Sequence, residues 1–260
     1  MGVEMKRNIF ASSALIVLML FAVVGWAAAQ DLKTIKLNAP NTKGGLSIME
    51  ALSLRASVRE WSDKDLTFQE LSDLLWAANG INRPDSKKRT AASAMNAQDV
   101  DVYVLMKDGA YLYDAAQHSL ILVAAGDHRA EASMRPRGTP PAAPGAPAAP
   151  AAPAAKPEGP AGPPAGAGPG GPQTQAPVLI ILVSDVSRFD RGPREMALDA
   201  KLRMAALDTG IVSQNIGLFC AGTGLATRPR AGMNTEAIKT LLKLKDTQYP
   251  LLNHPVGYPK

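Results

Sequence analysis

Arg55-Ala-Ser-Val-Arg59 sets two guanidiniums and a hydroxyl at a spacing of two residues. In an extended chain alternate side chains share a face, so Arg55, Ser57 and Arg59 would stand side by side. That set suits a phosphate dianion, which arginine holds through paired, charge-assisted hydrogen bonds. A solvated charged turn uses the same residue types, and spacing alone does not separate the two. A second cluster, Thr90-Ala-Ala-Ser-Ala-Met-Asn-Ala-Gln98, is rich in small side chains. These allow close approach to a flat ligand, and Asn96 or Gln98 can offer a donor and an acceptor together to a ring edge; an ordinary polar loop is the alternative. The third, Gly222-Thr-Gly-Leu-Ala-Thr-Arg-Pro-Arg-Ala-Gly232, leads out of a helix and has no Gly-Lys-Ser/Thr. It is therefore neither a dinucleotide fingerprint nor a P-loop.

Other chemistries are poorly supplied. The chain has no Gly-x-Ser-x-Gly elbow and no His-Glu-x-x-His, and His118, His128 and His254 are scattered, so surface roles are expected for all three. Cys220 is the only cysteine, which removes any internal disulfide, CxxC pair or zinc cluster; its apolar neighbours predict a buried, inert thiol. No metal site is expected. The formal charge of +5 falls to +2 once Glu4, Lys6, Arg7, Arg135, Arg137, Lys156 and Glu158 are set aside with the two unusual segments that hold them. No Lys/Arg stripe remains, so a nucleic-acid partner is not expected.

The first unusual segment is residues 1–29, with Lys6 and Arg7 before an apolar run and Ala27-Ala-Ala29 at its end. That order is a secretory signal peptide, cleaved before Gln30, and predicts an exported, periplasmic or extracellular protein. An uncleaved anchor is the rival, and only then would the protein touch a membrane. The second, residues 135–177, holds 14 of the 21 prolines and too few core-forming side chains to offset its ordering entropy. It reads as a disordered Pro/Ala-rich insert. It divides the folded part into residues 47–134 and 178–260, with residues 30–46 as an N-terminal extension.

The elements that must position the three clusters follow from periodicity. A short helix is predicted from Ser47 to about Leu54. Thr67-x-x-Glu70 forms a capping box for a helix bearing Leu71, Leu74, Leu75 and Ala78 and ending at Gly80. Val102–Met106 and Ala110–Tyr113 read as a hairpin whose Asp108-Gly109 supplies positive φ. Val178–Val183 reads as a strand buried on both faces. A helix over 195–221 is predicted to present Leu207, Ile211, Asn215, Leu218 and Phe219 on one face. A further helix from Asn234 or Thr235 to Leu244 precedes a closing strand over 250–257. The order implies an α+β fold with a central mixed sheet flanked by helices.

Taken in order, six pieces resemble the FMN-dependent nitroreductase superfamily, closest to its SagB-type dehydrogenase branch. They are Arg55-x-Ser57-x-Arg59-x-Trp61, Glu70 to Gly80, Leu112 to Leu120, Gly210-Ile-Val-Ser-Gln-Asn215, Gly224-Leu225 and Pro255-Val-Gly-Tyr-Pro259. The resemblance spans Met49 to Arg129 and Pro177 to Pro259. It implies FMN at a homodimer interface, with Arg55, Ser57 and Arg59 on its phosphate and ribityl side and Asn96 at the ring edge. It further implies that the backbone from Pro229 through Arg230 to Gly232 lies near the ring's redox-active edge, with an inward-pointing Arg230 stabilising the reduced anion. Ala91-Ala-Ser93 stands where the family usually has Pro-Ser, and Lys260 is expected to replace one contact of a basic tail. An exported FMN-dependent oxidoreductase is thus expected, acting on a nitroaromatic, a quinone or an oxidisable heterocycle. Export argues against NAD(P)H as its donor. The alternative is a secreted, non-catalytic binding protein that keeps the fold.

Overall fold

The computed structural model describes residues 33–133, 175–190 and 196–260. The expected leader and nearly all of the Pro/Ala-rich insert lie outside the described residues. Helix α1 (Ile48–Leu54) and helix α2 (Phe68–Asn79) each begin with a complete capping box, Ser47 with Glu50 and Thr67 with Glu70. In both, the cap hydroxyl takes the third backbone N–H and the glutamate returns to the cap, satisfying donors that a helix start leaves unpaired.

Among the described residues nine strands form a seven-stranded sheet and a separate hairpin. Strand β1 (Thr34–Lys36) comes first, and β2 (Ile81–Arg83) pairs with β3 (Lys88–Arg89) in the hairpin. Strands β4 (Val100–Met106), β5 (Gly109–Asp114) and β6 (Ser119–Ala125) form a meander that leads into helix α3 (Arg129–Ser133). Strand β7 (Val178–Asp185) lies between β4 and β9 (Gln248–Gly257), and β8 (Ala226–Thr227) closes the edge, in the order β1-β6-β5-β4-β7-β9-β8. Helices α4 (Leu198–Thr223) and α5 (Thr235–Leu241) complete the chain. The predicted mixed sheet is antiparallel in every ladder; its parallel element is one isolated bridge, Ser57 to Thr227.

Strand β7 explains why its sequence is apolar without alternation. Val178, Ile180 and Leu182 face α2 and α4, in a core with Leu74, Leu75, Val104, Tyr111, Ile216 and Cys220. Leu179, Ile181 and Val183 face the other way, against Met233, Ile238 and Leu242 around α5. The β4–β5 hairpin forms as predicted, but its two-residue turn is Lys107-Asp108, and neither Asp108 nor Gly109 has positive φ. Gly109 is needed for packing instead: a Cβ there would lie 2.7 Å from Leu122 Cδ1 and 2.9 Å from the Ala124 carbonyl oxygen.

Helix α4 turns a different face inward from the one expected. Leu207 is 68% exposed and Ile211 38%, while Lys201, Asp208, Thr209 and Ser213 are buried with Leu202, Ala205, Val212 and Ile216. The inward polar groups are largely satisfied by distant partners, Lys201 by Asp190 at 2.7 Å and Ser213 by His254 at 2.9 Å. Such partners are invisible to periodicity. Cys220 is buried as expected, and burial pushes its thiol well above the ordinary range.

Gly257 fixes how the end of β9 meets the rest. A Cβ there would sit 2.7 Å from Pro177 Cδ and 3.2 Å from Trp61 Cδ1. Gly257→Ala should therefore cost about 1–3 kcal/mol by overpacking, read as a lower urea midpoint at unchanged m-value.

Candidate functional site

The Arg55–Arg59 segment leaves α1 and runs extended beside β8. Arg55 closes the helix through its backbone N–H to the Ala51 carbonyl, 2.9 Å. Ser57 then bridges Thr227, and the Val58 N–H donates to the Thr227 carbonyl at 3.1 Å. Val58 and Trp61 pack inward with Ala176 and Ala226, and the Trp61 Nε1–H donates to the Ala226 carbonyl. Arg55, Ser57 and Arg59 are left exposed. Val58 turns inward between Ser57 and Arg59, which share the outer face of this extended stretch, and Trp61 turns the chain back to the core after it.

Behind this segment stand two more arginines. Arg228 follows Thr227, and its Nε is buried with no hydrogen-bond partner. Burial, then repulsion from Arg59, lowers the proton affinity of its guanidinium. Arg230 is half-buried, bound through Nε to Asn253 Oδ1 at 2.8 Å and through Nη2 to Ser133 Oγ at 3.4 Å. Burial, then the Arg228 charge, pushes it down to about 10. Among the described residues, no carboxylate forms an ion pair with Arg55, Arg59, Arg228 or Arg230. Like charges held together and half-desolvated without acids are costly unless an anion completes them.

Asn253 and His254 hold the second wall. Asn253 pairs with Arg230 through both backbone groups, and its side-chain N–H donates to the carbonyls of Arg230 and Gly232 at 3.1 and 3.2 Å. This fixes the backbone from 230 to 232, while Pro229 is exposed. His254 is fully buried between Thr227 Oγ1 at 3.2 Å and Ser213 Oγ at 2.9 Å. Burial, then the nearby Arg230, pushes it down to about 4, so the ring is neutral at pH 7.

The structure thus brings Ser57, Arg59, Arg230 and Gly232 into one region, with Arg55 at its edge. Lys260 follows Pro259, which bridges Trp61 in antiparallel fashion, so Lys260 runs beside the Arg59 end of the same segment. Asn96 is held elsewhere. Its loop is fixed to α4 by the Ala94 N–H, which donates to the Asp208 carboxylate at 2.8 Å. Asp208 and Ser213 lie about 7.5 Å apart along the helix axis, so Asn96 and the arginine region flank the same stretch of α4 without sharing an element.

The expected surface roles of the histidines are revised for two of them. His254 is a core residue, and His118 is half-buried between Ser72 Oγ at 2.8 Å and the Tyr113 hydroxyl at 2.9 Å. Sequence reasoning missed Arg228, Asn253 and His254 as site components. The retrievable signal was a polar Asn-His pair inside the otherwise apolar strand from Tyr249 to Val256.

Known proteins match this chain over nearly the whole described part. Residues 52–258 match the Nitroreductase family. A protein of Methanocaldococcus jannaschii named as a nitroreductase is 25% identical over 230 residues, covering 86% of this chain and 96% of its own. A crystal structure from Ralstonia eutropha, also named as a nitroreductase, superposes with a TM-score of 0.68 at 26% identity, covering 90% of this chain and 93% of that one. A chain of the Escherichia coli microcin synthetase complex shares the fold at 14% identity and a TM-score of 0.55, covering 90% and 82%.

Proposed function

Because the chain belongs to the nitroreductase family of oxidoreductases, we propose that it is an exported, homodimeric FMN-dependent oxidoreductase whose arginine region binds the flavin. The observation that carries this reading is the acid-free set of Arg59, Arg228 and Arg230, with the buried and unpartnered Nε of Arg228. A dianionic phosphate would satisfy Arg55, Ser57 and Arg59. Arg228 and Arg230 would supply positive charge where negative charge gathers on a reduced ring. When bound, FMN supplies two-electron transfer to a nitroaromatic or quinone, or from an oxidisable heterocycle. The chain's own work is to orient the ring, through Asn96 on one side and the 230–232 backbone on the other, and to stabilise its charge. The ordered motifs support the SagB-type branch, and the basic, apolar, small-residue order of residues 1–29 supports export, with an electron donor other than NAD(P)H.

The homodimer is supported by the face of α4 that the sheet does not cover. Leu207 and Ile211 are exposed there, as are Ile48, Met49 and Leu52 on the neighbouring α1. A groove of about 370 Å³ between these helices, lined by Ile48, Ala51, Asn215 and Phe219, opens onto the same surface. Exposed apolar patches of this kind mark association surfaces. Leu54 continues the patch to Arg55, so the arginine region sits at its rim. Leu52→Glu with Leu207→Glu should convert a sedimenting dimer to monomer and lower flavin retention with it. A dimer unaffected by both charges would place the interface elsewhere.

The direct test is the absorption spectrum of the protein from Gln30 onward, as purified and after titration with FMN. Oxidised-flavin bands at about one equivalent per chain are expected. A colourless protein that takes up no FMN would reject the enzyme and favour a binding protein that has kept the fold.

A further inference from the structure

Asp99, which precedes β4, and Asp208, on α4, are both buried and line one small space with their carboxyl groups side by side. Both also hold the Ser93–Ala94 end of the loop that carries Asn96. Asp208 accepts the Ala94 N–H through both oxygens, at 2.8 and 3.1 Å. Asp99 accepts from Ser184 Oγ on β7 at 2.5 Å and, more weakly, from Ser93 Oγ at 3.5 Å; Ser93 Oγ in turn accepts the Gln98 N–H at 2.8 Å. Between these ties Met95, Asn96 and Gln98 all have φ between 51° and 53°, the left-handed region that L side chains rarely occupy. Strain of this kind persists only where the surroundings over-determine it.

The charged groups around the pair are committed elsewhere. Arg89, from β3, gives its guanidinium to Gln98 Oε1 and the Asn79 carbonyl. Arg188, following β7, binds the Gln98 carbonyl and forms ion pairs with Asp101 and Asp185. Lys201, two turns earlier on α4, pairs with Asp190. The enclosed space between Asp99, Asp208, Arg89 and Gln98 is about 10 Å³, room for about one water molecule. Burial, with the Asp208 carboxylate beside it, raises the Asp99 carboxyl to about 7.

We propose that Asp99 and Asp208 are positioning residues, and that a proton held on Asp99 against Asp208 latches the Ser93–Gln98 loop, and with it Asn96, in the ligand-binding conformation. With the proton present, Asp99 donates its O–H to the Asp208 carboxylate, which also receives the Ala94 N–H. Without it, two carboxylates face each other in a nearly dry space. Their repulsion is relieved by moving the loop tied to both. The consequence for flavin rests on the function proposed above; the latch itself does not.

Infrared spectroscopy of the full chain from about pH 5 to about 9 should show a protonated carboxyl band that fades as pH rises and is missing in Asp99→Asn and Asp208→Asn. Over the same interval, exchange of the Ala94 amide, corrected for its intrinsic rate, should accelerate about tenfold in the native chain. It should stay level in Asp99→Asn, whose amide mimics the protonated acid, and lose protection at every pH in Asp99→Ala. FMN affinity should weaken toward alkaline pH in the native chain and not in Asp99→Asn. Failure to bind FMN at any pH would count against the proposed function and leave the first two readouts intact. Absence of the carboxyl band in the native chain, or Ala94 protection indifferent to pH, overturns the latch. Both are measured without a variant, so a misfolded substitution does not shelter it.

Discussion

Replacing Arg59 by Ala together with Arg228 by Met should weaken FMN binding by about 10²-fold or more while leaving the apoprotein at least as stable as before. The loss follows from removing two charge-assisted contacts to an anion, each worth about 1.5–3 kcal/mol. The stability result has the opposite sign because these arginines burden the empty protein. Arg228 keeps a buried Nε without a partner, and its charge is disfavoured by burial and by Arg59. Methionine retains the apolar stem that packs beneath the head group and removes the charge and the unmet donor. Since much of the guanidinium is still in solvent, screening limits the gain to at most about 1 kcal/mol. Flavin titration by fluorescence quenching and urea unfolding of the apoprotein read the two quantities separately. Unchanged FMN affinity would remove the arginine region from the binding site. A loss of stability comparable to the loss of affinity would make these side chains scaffolding.

The pieces of this protein that were legible in its sequence are those whose partners lie within four residues or alternate along one strand. Ser47 with Glu50 and Thr67 with Glu70 mark helix starts because the capping contacts are local. Arg55, Ser57 and Arg59 are legible for the same reason, as a spacing of two in an extended segment with Val58 turned inward between the last two. What escaped depends on pairings between distant parts. The inward face of α4 was misjudged because its polar residues are satisfied by Ala94, Asp190 and His254, which belong to other elements. Leu207 and Ile211, expected on the inward face, instead stand exposed on the outer face of the helix. Gly109 looked like a turn residue, yet what demands it is β6 crossing close by. Arg228 and Asn253 enter the site only through the register of β8 and the 230 segment on β9. No composition rule supplies that register, although the Asn-His pair within the last strand breaks the apolar pattern at the right place.

The same non-local packing sets two buried titrations against each other, and the second large effect is their separation by mutation. His254 is pushed from its ordinary 6.5 down to about 4, chiefly by burial and then by Arg230. The unfolded chain therefore takes up a proton at His254 first. Stability from this group is complete above about pH 6.5 and is lost as pH falls through 4, a total of about 3 kcal/mol. Asp99 behaves in the opposite sense, because its raised folded value lets the native state bind a proton that the unfolded state does not yet hold. Its contribution grows as pH falls from about 7 toward the ordinary carboxylate range. Between pH 7 and 4 the two oppose each other, so the native protein should show a shallow dependence of stability on pH. Asp99→Asn leaves His254 to act alone, and its urea midpoint should fall steadily on acidification. His254→Gln leaves Asp99 to act alone, and its midpoint should rise over the same range before the remaining carboxylates titrate. Curves that run parallel in the two variants would mean that neither group titrates in the native state as its surroundings dictate. Curves that diverge would show that the site's neutral imidazole and its protonated carboxyl are both sustained by burial, on the two sides of the same stretch of α4.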